Sequence, residues 1–174
     1  MKLNGTHEFD APPEEVYKRL LDPDLLRDCM PGCERLDRTA DDEFAITLVP
    51  PVPAIKGEFS GTVKLLDLAP PKSFRMKIEA TGKAGFVNAN AQMLIKPNGS
   101  TSTVQYEADV QLGGAAAAVG QRVLTGISRR QVEQMMRCLN AGAAREAKVG
   151  LFARIADWFR AKFRRKAING PTRD

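Results

Sequence analysis

Between Cys33 and Leu112 the chain is a series of short segments in which apolar and polar residues alternate, separated by turn signals. In 73–81, Phe74, Met76, Ile78 and Ala80 oppose Arg75, Lys77 and Glu79; in 101–112, Val104, Tyr106, Ala108, Val110 and Leu112 oppose Gln105, Glu107, Asp109 and Gln111. A period of two puts the apolar set on one face of a strand, so the pattern predicts an antiparallel sheet packed on a single side. The expected strands are 34–38, 43–49, 54–68, 73–81, 86–96 and 101–112, with a proline-rich connection at 50–53 and turns at Pro70-Pro71 and Pro97-Asn98-Gly99. Lys2 to Phe9 adds one more strand, with Leu3, Gly5, His7 and Phe9 on one face.

An apolar sheet face has to be covered. Asp10-Ala11-Pro12-Pro13-Glu14-Glu15 carries an acidic cap, proline in the first turn and glutamates near the positive helix end, the signature of a helix start. Asp22-Pro23 breaks that helix, and a second short one runs to about Met30 before the Pro31-Gly32 turn. A long helical segment, about 115–142, offers Val119, Val123, Leu124, Ile127, Met135 and Leu139 to the sheet. The expected architecture is α+β: a strand, two short helices, a six-stranded meander, and a curved antiparallel sheet wrapped around a long C-terminal helix.

The 174 residues have room for one domain and an appendage. With 43% apolar and 27% charged residues, disorder of the whole chain is excluded. No stretch reaches the roughly 20 apolar residues that span a bilayer, and MKLNGTHEF lacks the apolar core of a secretory signal. The expected location is therefore the cytoplasm. Cys29 and Cys33 are spaced C-x₃-C, unlike redox or zinc motifs, and with Cys138 make an odd count. A buried pair of free thiols at 29 and 33 and no metal site are the expectation.

Charge is unevenly placed. Residues 1–150 hold 19 Lys+Arg and 19 Asp+Glu, whereas 151–168 hold Arg154, Arg160, Lys162, Arg164, Arg165 and Lys166 against Asp157 alone. The net +5 of the chain thus lies in one segment. On a helix, Leu151, Phe152, Ile155, Trp158, Phe159 and Phe163 occupy a face about 140° wide, with Arg154, Asp157, Arg160, Arg164 and Arg165 outside it. Lys162 and Lys166 fall inside the apolar arc, where long side chains snorkel to headgroups. Aromatic residues opposite arginines describe a helix lying in an anionic membrane surface. Packing of the same face on the domain or on another protein is the competing reading. Nucleic acid is disfavoured, because the aromatics form a stripe instead of interleaving with the basic residues. The domain plan is a body at 1–142, a hinge at 143–150, the basic amphipathic helix at 151–168 and a disordered end at 169–174.

Ala11-Pro12-Pro13-Glu14-Glu15-Val16-Tyr17, Asp22-Pro23, Cys29-Met30-Pro31-Gly32-Cys33-Glu34, Lys56-Gly57-Glu58-Phe59-Ser60-Gly61, Gly85-Phe86 and Gly113-Gly114 together resemble the carbon monoxide dehydrogenase G-subunit family over about 1–142. That family belongs to the START-like (SRPBCC), helix-grip superfamily. The resemblance implies a hydrophobic cavity between sheet and long helix, and work beside a molybdenum-containing carbon monoxide dehydrogenase or related hydroxylase. It further implies recruitment of that enzyme to the membrane and binding of a respiratory quinone, menaquinone or ubiquinone. No covalent or metal cofactor is implied.

Small inner-face residues (Gly57, Gly61, Ala80, Ala89, Ala91, Ala108) leave space for such a cavity, or let sheet and helix pack closely. The candidate lining is Phe59, Val63, Phe74, Met76, Ala89, Ala91, Met93, Tyr106, Val123, Ile127 and Met135. Tyr17 and Tyr106 are candidates to hydrogen-bond a quinone carbonyl. His7, the only histidine, stands with no nucleophile motif beside it and reads as structural. Phosphate-loop, dinucleotide, nucleophile-elbow and zinc-protease motifs are absent, so no catalytic residue is assigned. The membrane candidates are Leu151, Phe152, Ile155, Trp158, Phe159, Lys162, Phe163, Arg164 and Lys166. Three functions remain open on the sequence: a membrane-bound carrier of a hydrophobic ligand serving the dehydrogenase, a recruitment anchor with a filled core, and a cyclase-type enzyme.

Overall fold

A computed structural model describes residues 1–53 and 55–164, with side chains described up to 142 except at 54 and 116. The elements are β1 (Lys2–Phe9), α1 (Pro13–Leu20), α2 (Pro23–Cys29), β2 (Cys33–Ala40), β3 (Glu43–Leu48), β4 (Phe59–Ala69), β5 (Ser73–Gly82), β6 (Gly85–Asn98), β7 (Thr101–Gly113), α3 (Ala115–Ala118) and α4 (Gln121–Arg164). The seven strands form one sheet in the order β1-β7-β6-β5-β4-β3-β2, every pair antiparallel. The meander is thus continuous, and β1 closes onto the last strand. The fold is α+β of the START-like, helix-grip kind.

Alternation decides which face is covered. Leu3 and Phe9 in β1, Phe44 and Ile46 in β3, Phe74 in β5, Met93 and Ile95 in β6 and Val104 in β7 are buried, with Val16 and Leu20 of α1 and Met136 and Leu139 of α4 packed among them. Each such side chain contributes about 1.5–3 kcal/mol relative to exposure. α2 begins at Asp22, whose carboxylate accepts from the N–H groups of Asp24 (3.0 Å) and Leu25 (3.1 Å), a cap on the first turn.

Polar contacts lock the covering helices. The Asp10 N–H donates to Asn140 Oδ1 at 2.9 Å, and Asn140 Nδ2 returns a bond to Asp10 Oδ2 at 3.1 Å. Arg19, 5% exposed, pairs with Glu15 and donates to the Asn140 carbonyl at 3.3 Å. The buried Ser102 hydroxyl donates to the Ala11 carbonyl at 2.7 Å, which holds the start of α1 on β7. A buried polar group costs stability unless partnered, so these bonds specify one seating of α1 and α4.

Four sequence expectations are corrected. The cysteines do not form a free 29/33 pair: Cys29 is joined to Cys138 in a disulfide across 109 residues of sequence, and Cys33 is the free thiol. The third strand of the series starts at Phe59, not 54, because Gly57 takes φ +101° and the chain enters the sheet only where Phe59 pairs Leu48. Gly57 is accordingly not an inner-face strand residue. The helical segment from 115 is interrupted: α3 ends at Ala118 and Gly120, at φ +96°, separates it from α4.

Two compact units divide at 140/141. The second, 141–174, includes the continuation of α4 to Arg164, so the backbone is helical across 143–150 where the sequence suggests a hinge. The candidate membrane-binding side chains, Leu151 to Lys166, lie outside the described side chains.

Candidate ligand cavity

The strand registers determine where the inner face is thin. Reading across β7, β6 and β5, Tyr106 stands beside Met93 and Phe74; the next layer inward is Ala108, Ala91 and Met76; the next is Val110, Ala89 and Ile78. Two alanines side by side, with a third in the following layer, leave a depression between bulkier rows. α1, α2 and α4 roof it without filling it.

The result is an apolar cavity of about 250 Å³. Its floor includes Leu65, Met76, Ile78, Ala89, Ala91, Met93, Tyr106 and Ala108, and its roof Leu20, Leu21, Leu26, Met30, Val132 and Met135. Tyr106 is the one lining residue with a polar side chain. A volume just under the roughly 300–1,000 Å³ of small-molecule sites suits a ring system or a short chain. A shallower depression of about 420 Å³ on the outer sheet face is lined by groups such as Lys2, Arg75, Gln92, Glu107 and Asp109, and has no apolar enclosure.

Of the candidate lining residues, the structure brings Val63, Met76, Ala89, Ala91, Met93, Tyr106 and Met135 together around this cavity. The other four lie elsewhere. Phe59 belongs to a second apolar cluster with Val52, Ile55, Ala80 and Leu124, and Ile127 packs against it. Phe74 is 1% exposed and set edge-on to Tyr17, ring centroids 5.6 Å apart. Val123 is 54% exposed and does not line this cavity. Sequence reasoning missed the roof from α1 and α2; the apolar run Leu20-Leu21 and the Leu25-Leu26 pair are its only signal.

Small residues do different work at different positions. At Gly61 a Cβ would run into the Glu79 carbonyl and Ala80 Cα, so this glycine serves close strand approach, not cavity volume. At Gly5 a Cβ would sit 2.6 Å from the Tyr106 hydroxyl and 2.7 Å from its ring, so the absent side chain is what lets the tyrosine lie across β1.

Titratable groups near the site are few. Burial pushes the Tyr106 phenol above its ordinary value, with the Glu133 carboxylate adding to the rise and Arg129 opposing it. Tyr17 is likewise raised by burial, and its hydroxyl has no hydrogen-bond partner among the described residues; it does not line the cavity. His7 is lowered by burial and by the Arg137 guanidinium, and its ring sits edge-on to Phe9 at 5.6 Å. Burial also raises the Cys33 thiol. Among the described residues, no group of three or more His, Cys, Asp or Glu is placed to hold a metal ion, and no helix is long and apolar enough to cross a membrane.

Comparison with known proteins agrees with this geometry. A conserved protein from Geobacillus kaustophilus is similar at 28% identity and TM-score 0.79, over 83% of this chain and 96% of its own. A START superfamily protein from Mycobacterium smegmatis shares the fold at 11% identity and TM-score 0.65, over 83% and 97%. So does Ara h 8.0201, at 7% identity and TM-score 0.60, over 81% and 95%. No curated protein matches the chain. Residues 5–144 match the family of the carbon monoxide dehydrogenase G subunit (CoxG), and the chain belongs to that family.

Proposed function

We propose that the protein is a non-catalytic accessory carrier: it takes a hydrophobic ligand, a respiratory quinone such as menaquinone or ubiquinone, into the helix-grip cavity and serves a molybdenum hydroxylase of the carbon monoxide dehydrogenase type at a membrane surface. The observation that carries the reading is the apolar cavity of about 250 Å³. Its volume favours the quinone ring over the full isoprenoid tail as the enclosed part. Each CH₂ or equivalent apolar group moved out of water contributes about 0.8 kcal/mol, so shielding alone supplies affinity. The partner is suggested by the family the chain belongs to. Membrane attachment is suggested by the net charge of +5 and the aromatic stripe in 151–168; each basic residue near an anionic surface contributes about 1 kcal/mol at most. Attachment on the inner face of the cytoplasmic membrane goes with this reading.

The anchor reading, in which the core is filled and only recruitment matters, is less well supported, since the cavity is unfilled by side chains. A cyclase-type activity has no acid–base pair in the cavity to support it. The test incubates the full chain with anionic vesicles containing menaquinone, releases bound protein with salt, and measures quinone in the protein fraction. Quinone leaving with the protein supports carriage; vesicle binding with no quinone released supports the anchor. Replacing Phe152, Trp158 and Phe163 by serine is expected to abolish vesicle binding, and unchanged binding would refute the tail's role.

A further inference from the structure

The two short helices of the cavity roof are seated differently. α1 buries Val16, Tyr17, Arg19 and Leu20, and polar bonds tie its ends to β7 and α4: Ala11 to Ser102, Asp10 and Arg19 to Asn140. In α2 only Cys29 is buried, although Leu26 and, just after the helix, Met30 line the cavity. The polar contacts of α2 are local. Asp22 caps its first turn, and Arg27 pairs with Asp24 at 3.1 Å and Asp28 at 3.5 Å. Among the described residues none of these contacts reaches α4, so apart from apolar packing the tie between α2 and α4 is the Cys29–Cys138 disulfide. Turns bound the helix on both sides. Asp22-Pro23 precedes it; Pro31-Gly32 follows, with Gly32 at φ +79° and its carbonyl accepting from the Val49 N–H at 2.8 Å. The chain is thus fixed to the end of β3 beyond α2, while α2 itself has the sparse burial of a segment that opens locally.

We propose that α2 is a lid over the apolar cavity, latched to α4 by the Cys29–Cys138 disulfide and released by a dithiol reductant. Cys138 is half-buried and Cys29 is 5% exposed, so attack falls on the Cys138 sulfur. A thiolate of the dithiol bonds to that sulfur, the S–S bond breaks, and Cys29 leaves as a thiolate that takes up a proton. The second thiol of the reductant then attacks its partner sulfur in the mixed disulfide, which closes the reductant's own disulfide and frees Cys138, likewise protonated. Two electrons pass from reductant to protein, and the same exchange run backwards relatches the lid. Cys33, outside the bond, stays a thiol throughout. The inference rests on the cavity being a ligand site and adds how traffic through it is controlled. Latched, the roof retains its ligand; unlatched, Leu26 and Met30 move away from Met135 and the cavity opens.

Two readouts separate the latch from the cavity. Hydrogen exchange of the full chain, with and without dithiothreitol, is expected to show α2 amides exchanging at least about tenfold faster after reduction, while β6 and β7 stay protected at the same short times. Unchanged exchange in α2, or loss of protection spread equally over β6 and β7, would overturn the latch. The second readout is release of N-phenyl-1-naphthylamine, an apolar fluorophore that does not react with thiols, into excess cyclodextrin. Release is expected to be at least about tenfold faster from reduced than from oxidised protein. Cys138→Ser should release it fast with or without dithiothreitol, and Cys33→Ser should behave as the wild type. Equal rates from oxidised and reduced protein, or a dithiothreitol response that survives in Cys138→Ser, would overturn the latch. A fluorophore bound by neither form would overturn the cavity reading itself, whereas the exchange result bears on the latch alone.

Discussion

Cys29 at the end of α2 and Cys138 in α4 are joined by a disulfide with their Cα atoms 5.4 Å apart. One turn back on each helix, Leu26 of α2 and Met135 of α4 line the cavity, as does Met30 just after α2, so the bond staples the seam between two walls of its roof. The expected thiol count is one, Cys33, in protein unfolded without reductant, and three after reduction. Alkylation and mass spectrometry read this directly. Closing about a hundred residues into a loop stabilises by about 2–5 kcal/mol, so Cys138→Ser or reduction is expected to lower unfolding free energy by that amount in urea titrations. A count of three thiols in protein kept from reductant would remove the staple from the account.

Gly5 and Tyr106 form a pair that tolerates change on one side only. Gly5→Ala is expected to destabilise the chain by about 1–3 kcal/mol, because the new Cβ overlaps the phenol. With Tyr106→Val as background the same change is expected to cost far less. The double-mutant cycle isolates the coupling, and additive losses would contradict the contact.

Cavity filling is expected to separate stability from function. Ala91→Met adds apolar volume where the structure has space, so the melting temperature is expected to hold or rise while quinone-ring binding falls at least tenfold. A melting temperature lowered by several degrees would show that residue 91 is already closely packed.

His7 makes stability pH-dependent in a defined direction. Its pKa in the folded chain lies below the ordinary 6.5, so below that pH the unfolded chain binds more protons. The stability contribution is present above pH 6.5 and is lost as pH falls toward the folded value. Between pH 7.5 and 5.5 the wild type is therefore expected to lose more unfolding free energy than His7→Gln. Parallel losses would show that carboxylates alone set the slope.

The strand series is legible because a period of two is written residue by residue, and so is the covered face: Leu3, Phe44, Phe74, Met93 and Val104 all point to it. Turn prolines and glycines then place most strand ends within one or two residues. What escapes depends on register and phase. The cavity exists because Ala91 pairs Ala108 with Ala89 two residues away, and cross-strand pairing is not encoded in the alternation of one strand. The spacing offers both Val123 and Leu124 to the sheet; in the helix that restarts after Gly120, Leu124 turns in and Val123 is exposed. The disulfide joins residues that only the seating of α4 over α2 brings together, so spacing could not reveal it.

The central claim is that the space over Ala91 and Ala108 is a ligand site. Full-length protein and Ala91→Met, purified in parallel without detergent from a quinone-containing host, should be extracted with organic solvent and the extracts analysed by mass spectrometry. The account predicts near-stoichiometric quinone in the wild-type extract and little in the variant. Folded wild-type protein whose extract contains no quinone or other lipid, or equal lipid in both, would contradict it.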